Sequence, residues 1–229
     1  MKRLVITIDG PAAAGKSTVA RELARRLGGL CLDTGSTYRA ITWKALELGI
    51  PIDEEEALAG LIDSSELELL PAGDDGKNRV LINGQDVTDE IRTPRVDRFV
   101  SLVAAFPRVR ERMVQLQRSL AGNGTVVIEG RDAGTVIMPS ADYKFFLTAS
   151  LEERARRREL DLERAGYRIS REQIREELDR RDGLDSRRRA SPLAVAPGAL
   201  VVDTTNMTAG QVVEKILQVI RGNESCSTS

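Results

Sequence analysis

The sequence predicts an α/β fold built on a parallel sheet, and three observations carry that prediction. The apolar run at residues 4–8 leads into Gly10-Pro-Ala-Ala-Ala-Gly15-Lys16-Ser17 and then an amphipathic helix. Short, nearly continuous apolar runs, the texture of strands covered on both faces, recur at residues 30–32, 125–128, 143–147 and 199–202. Between most of them lie stretches with apolar residues at helical spacing. The first strand, helix and strand make a βαβ unit, which places its ligand at the carboxyl ends of the strands.

The first helix, residues 17–27, has Val19, Leu23 and Leu27 on one face and stops at Gly28-Gly29. A helix over 38–48 ends at Gly49 and Pro51, and an acidic first turn opens another over 53–62. The texture then changes. Residues 66–69 alternate, Gly73-Asp-Asp-Gly76 is turn chemistry, 79–82 is a strand, Asn83-Gly84 a tight turn, and 86–88 can return. This is an antiparallel insertion in a parallel protein, of the kind that covers a second substrate. Thr93 caps a helix with Pro94 at its first position, and Phe106-Pro107 separates it from a second helix ending near Leu120. Ser150 with Glu153 is a capping box that opens an arginine-dense helix, and Ser170 with Gln173 begins another that ends near Arg181-Asp182-Gly183. Thr208 and Gln211 cap a last helix over 211–220, and the polar tail from 222 is expected to fray.

The G-x-x-x-x-G-K-[ST] spacing is a phosphate-binding loop. Glycines let backbone N–H groups turn inward on phosphate oxygens, Lys16 adds a mobile charge, and the Ser17 hydroxyl suits Mg²⁺. The helix that follows adds its positive dipole end. Gly10, Pro11, Ala12, Ala13, Ala14, Gly15, Lys16, Ser17 and Thr18 are therefore candidate contacts of a nucleotide, with Ser17 the candidate metal ligand.

A formal charge of −1 argues against a general nucleic-acid binder, which needs a basic surface. Asp9 breaks the first apolar run too soon for a signal peptide, and no later run could span a bilayer. The two cysteines, Cys31 and Cys226, make neither a metal pair nor a disulfide framework, so the chain is expected in the cytoplasm. It contains no histidine, which removes that residue as base, phosphoryl carrier and metal ligand. Its basic residues are nearly all arginine, dense between Arg154 and Arg189, and suited to bidentate phosphate contacts. Arg156, Arg157, Arg164 and Arg175 fit exposed ion pairs, whereas Arg39, Arg131, Arg181 and Arg188 stand at expected element ends, facing the site. An acceptor phosphate is already ionised at neutral pH, so a phosphate acceptor suits a site without histidine, although Asp33 and Asp132 remain available as bases.

Several stretches, taken in order, resemble bacterial cytidylate kinases: residues 8–17; Leu32-Asp-Thr-Gly35 with Tyr38-Arg39; 103–110; Gly130-Arg-Asp-Ala-Gly-Thr135; and Arg181-Asp182 with Asp185, Arg188 and Pro192. Thr34 stands where many members have Ser, and Glu129 where an Asp is frequent. The resemblance implies a P-loop kinase core (residues 1–37, 106–150 and 185–222), an inserted α+β monophosphate-binding domain (38–105), a short arginine-rich lid (151–184) and a disordered tail (223–229). It implies an ATP-dependent, Mg²⁺-assisted phosphotransferase acting on CMP and dCMP in pyrimidine metabolism, a monomer with small-molecule partners, no nucleic acid and no membrane. Ser101, Arg110 and Asp132 would read cytosine, and Arg181 and Asp185 would hold the sugar. Thr34, Arg39, Arg131 and Arg188 would hold the acceptor phosphate, with the Arg188 contact open to Arg187 or Arg189. Lys16, Arg131, Asp132 and Arg188 are the implied catalytic set, with Arg154 and Arg158 as lid charges. Kinases of another acceptor are the nearest rival. A GTPase-like switch lacks its Asn-Lys-x-Asp sequence, and an RNA-binding module conflicts with the interleaved acids.

Overall fold

The computed structural model describes residues 3–70, 78–188 and 190–226. The chain begins with β1 (Val5–Asp9), α1 (Lys16–Leu27), β2 (Leu30–Asp33), α2 (Thr34–Leu48) and α3 (Glu55–Asp63). β3 (Leu67–Leu70), β4 (Arg79–Ile82) and β5 (Gln85–Asp86) follow, then α4 (Pro94–Val103) and α5 (Pro107–Leu120). β6 (Val126–Gly130), β7 (Tyr143–Thr148), α6 (Leu151–Arg164), α7 (Arg171–Arg187), β8 (Leu200–Asp203) and α8 (Ala209–Cys226) complete it.

The five-stranded sheet has the order β2-β6-β1-β7-β8 and is parallel throughout. Asp9 pairs with Gly130 and Asp33 with Glu129, so three strands end level and bring their last side chains to one edge. One face packs Ile6, Ile8 and Phe145 against Val19, Leu23 and Ile216, and the other packs Leu32, Val126 and Ile128 against Val114. Each such side chain contributes about 1.5–3 kcal/mol by leaving water. The antiparallel sheet β3-β4-β5 has its own core, in which Ile82 and Val87 meet Ile41, Leu58, Val103 and Met113. Asn83 and Gly84, both at positive φ (52° and 75°), make its expected tight turn. The expected turn at residues 73–76 lies outside the described residues.

Several expectations need correction. α2 begins at Thr34, four residues before the expected start at 38, because the Asp33 side chain accepts from the Ser36 amide and caps it. Ser150 accepts from Glu153 N–H, but the Glu153 carboxylate turns to Arg156 and Arg157 and leaves the box half made. Ser170 and Gln173 do make a full box. α7 passes through Gly183 to Arg187, since a lone glycine lowers helix stability without ending it. α8 continues to Cys226, so residues 223–226 are helical where a disordered tail was expected. Among the described residues no helix is long and apolar enough to cross a membrane.

Candidate active site

The loop between β1 and α1 takes the conformation its spacing requires. Gly10 has φ 148°, and a Cβ there would lie 2.0 Å from the Leu147 carbonyl oxygen. Gly15, at φ 90°, caps α1 with no side chain of its own, leaving the first N–H groups of the helix for a ligand. Lys16 is buried and donates to the Pro11 carbonyl at 2.7 Å. Burial, followed by the Arg131 charge, holds its ammonium well below the usual lysine value.

A cavity of about 480 Å³ opens beside this loop, lined by Gly15, Thr18, Arg157, Thr205, Asn206 and Met207 among others. The β8–α8 loop is tied to the phosphate loop, since the Thr204 hydroxyl lies 3.2 Å from Ala14 O. Arg157 makes the expected i,i+4 ion pair with Glu153 at 2.8 Å and in addition donates to the Thr204 carbonyl at 2.6 Å and its hydroxyl at 3.0 Å. Arg156 keeps the expected role, paired with Glu153 at the surface. Arg154 is buried and reaches Ala12 O at 3.2 Å and Asp182 at 2.6 Å, joining α6 and α7 to the loop. Nothing in the sequence separates Arg154 and Arg157 from Arg156. One helical turn decides which of them faces the loop.

Elsewhere in the fold arginines gather around three carboxylates, Asp97, Asp132 and Asp185. Arg110, from α5, pairs with Asp132 just after β6, and both side chains are about 95% buried or more. The Arg110 guanidinium also lies 5.6 Å from the centroid of the Tyr38 ring. Arg131 Nε donates to Asp185 at 2.7 Å, and Arg188 Nη2 approaches the same carboxylate at 3.0 Å. Arg187 is exposed, so of these two it is Arg188 that turns inward. Arg39 donates to Asp97 at 2.5 Å, and Arg181 Nη1 lies 3.8 Å from that carboxylate. Arg110 Nε and Arg181 Nε are buried donors without an acceptor among the described residues, and Arg188 Nη2 has its ion pair with Asp185 but no well-aligned hydrogen bond. Buried donors ordinarily find partners, so these within one cluster point to a ligand rather than to packing.

Two predicted residues have no hydrogen bond to this set. The Thr34 hydroxyl donates to the Glu129 carbonyl at 2.8 Å and so ties the start of α2 to β6. Ser101 is buried on α4, and no hydrogen bond links its hydroxyl to Arg110 or Asp132. Asp9 and Asp97 carry more of the geometry than the sequence suggested. The Asp9 carboxylate accepts from Ala133 N–H at 2.8 Å and Gly134 N–H at 2.7 Å, which fixes the single π-turn Ala133–Ile137 behind Asp132.

The cytidylate kinase family profile matches residues 6–222. The chain belongs to the cytidylate kinase family. Curated cytidylate kinases of Desulfitobacterium hafniense and Symbiobacterium thermophilum are each 50% identical to it, covering 95% and 96% of this chain and 93% and 97% of theirs. A gluconokinase structure from Sinorhizobium meliloti covers 99% of the chain and 98% of its own, with a TM-score of 0.50 and 15% identity, a likeness of fold alone.

This member of the cytidylate kinase family also has a place for a hard cation. Glu129 is buried with Oε1 unpartnered, and burial, followed by the Asp33 carboxylate, pushes its carboxyl above the usual range. The Ser17 side chain stands close enough to pull that value back down. A buried carboxylate oxygen beside a hydroxyl fits Mg²⁺.

Proposed function

We propose that the enzyme transfers the γ-phosphoryl group of ATP to the phosphate of CMP or dCMP, giving ADP with CDP or dCDP. The observation that carries this is the buried Arg110–Asp132 pair within a cluster of arginines, whose Arg131 acts electrostatically on Lys16 of the phosphate loop. Asp132 gives one oxygen, Oδ2, to Arg110; the other suits the exocyclic amine that cytosine has and uracil lacks. Arg110 Nε suits the ring carbonyl or N3. Arg39, Arg131 and Arg188 hold the acceptor phosphate, while Arg181 and Asp185 hold the sugar. Lys16 and the loop amides grip the phosphates of ATP, whose base enters the cavity between Arg157 and the β8–α8 loop. Ser17 and Glu129 would hold Mg²⁺, which would supply neutralisation of the phosphate charge.

No side chain needs to take a proton from an ionised acceptor, so the protein's work is positioning and charge neutralisation. In this reading α6 and α7 form the lid, and the segment from α2 to α4, with its antiparallel sheet, forms the monophosphate-binding insertion. The lid excludes water that would otherwise accept the phosphoryl group.

An ADP-release assay with ATP and Mg²⁺ against CMP, dCMP, UMP, AMP and GMP tests the proposal. CMP and dCMP should lead in kcat/KM, and Asp132→Ala should lose at least about 100-fold with CMP while ATP affinity stays near wild type. Preference for another acceptor would remove the cytosine assignment, and an unchanged rate would remove Asp132 from the site.

A further inference from the structure

Asp97 lies in the first turn of α4 with its side chain 13% exposed, and it faces guanidinium groups from three other helices. Arg39 of α2 donates to Oδ1 at 2.5 Å, Arg158 of α6 donates to Oδ2, and Arg181 of α7 lies 3.8 Å from Oδ1. No role proposed above uses this carboxylate. Resting on the functional reading above, we propose that Asp97 is a positioning residue for phosphoryl transfer, holding Arg39, Arg158 and Arg181 converged beside the acceptor phosphate.

Charge and geometry both favour holding over competition. Each guanidinium has five N–H donors, and Asp97 engages a single nitrogen of Arg39 and a single nitrogen of Arg158. The remaining edges stay free for a second anion, and Arg181 Nε is buried with no acceptor. Three cations around one carboxylate leave a surplus of about two charges, which matches a phosphate monoester carrying about −1.5 to −2 at neutral pH. Without the carboxylate the three would repel one another. The mutual effect is already visible in Arg181, whose guanidinium is held below its usual value by burial and then by Arg39.

Asp97 also joins parts of the molecule that little else joins here. A cavity of about 160 Å³ separates α4 from the lid helices, lined by Pro94, Arg98, Leu162, Ile174 and Leu178 among others. Apolar packing across that gap is therefore incomplete, and the ion pairs of Asp97 set where Arg158 and Arg181 stand relative to Arg39. Removing its charge lets the lid arginines diverge from the acceptor site before any nucleotide arrives.

Steady-state kinetics of the full chain with ATP, Mg²⁺ and CMP test this through Asp97→Asn, which keeps shape and removes charge. KM for CMP should rise about tenfold, with a lower kcat and KM for ATP within about threefold of wild type. Asp97→Glu, which keeps the charge, should recover part of the loss. In a double-mutant cycle Arg158→Met should add little to Asp97→Asn, because the two act as one unit. An unchanged KM for CMP overturns the proposal. A lowered one overturns it in favour of competition between Asp97 and the phosphate, and equal rises in both KM values would reduce Asp97 to a structural role. If Asp97→Asn loses its far-UV CD spectrum, Arg158→Met alone carries the expectation, and an unchanged KM for CMP in that variant is equally fatal. A wild-type enzyme inactive with CMP would sink the functional reading instead.

Discussion

Asp9 shows how a single side chain can serve the site without touching a substrate. Burial is the largest influence on its carboxyl and pushes it up to about 6, while the Gly134 and Ala133 amides pull it down and Asp132 adds a smaller upward push. Its folded value therefore lies above the unfolded one, unusually for an aspartate. Below about pH 4 the group is protonated in both states, and its contribution is fully present. As pH rises to about 6 the unfolded chain ionises first, and the folded state loses up to roughly 3 kcal/mol. Asp9→Asn does not titrate, and its amide nitrogen cannot accept the second N–H. It should therefore be destabilised more at pH 4.5 than at pH 7.5, when urea unfolding of variant and wild type are compared. A penalty equal at both pH values would place the Asp9 titration outside this window.

At the scale of elements, the π-turn Ala133–Ile137 is the feature that converts a strand end into a binding site. It follows Asp132 directly, and its second residue leaves no space: a Cβ on Gly134 would meet Thr7 Oγ1 at 2.8 Å, Ala196 Cβ at 3.1 Å and Asp9 Oδ2 at 3.2 Å. Gly134→Ala should push the turn away from Asp9 and carry Asp132 with it. The expected result is a loss of about ten- to a hundred-fold in kcat/KM for CMP, with nucleotide binding at the phosphate loop largely retained in a fluorescent-ATP titration. Retention of full activity with CMP would show that the turn can yield without moving Asp132.

The sequence makes the strands, the phosphate loop and the antiparallel insertion legible, because apolar runs, glycine spacing and Asn83-Gly84 are local signals. The π-turn is not legible, since what shapes it is Asp9, distant in sequence. For the same reason the ground on which the sequence singles out Arg39 and Arg181, a place at an element's end, does not hold. Arg39 lies inside α2 and Arg181 inside α7, so their placement follows from helix packing and from Asp97 and Asp185, not from position at an element's end. The sequence shows half of what Arg157 does: its i,i+4 partner Glu153 is present as expected, and only the fold adds the contact with Thr204.

For the whole molecule, a chain of formal charge −1 gathers six of its arginines into one partly buried cluster of ion pairs. Arg39, Arg158 and Arg181 share Asp97, Arg131 and Arg188 share Asp185, and Arg110 has Asp132. The first two sets connect α2, α4 and the end of β6 to the lid helices α6 and α7, so the lid is held by groups to which the proposed function assigns the substrates. Each anionic ligand that enters removes part of the repulsion among these guanidiniums and leaves the lid closer to its closed position for the other. Binding of the two nucleotides should therefore be mutually favourable, and by linkage the factor must be the same in both directions. Calorimetric titration of CMP with and without a saturating, non-hydrolysable ATP analogue and Mg²⁺ should give a dissociation constant lower by at least about fivefold in the ternary case. The gain should shrink in 0.5 M salt, where screening weakens the partly exposed pairs of Arg131 and Arg158 more than the buried pair of Arg110. Equal constants with and without the analogue would mean that the arginine pairs hold the lid equally well whatever is bound, and the coupling between lid and substrates would have to be abandoned.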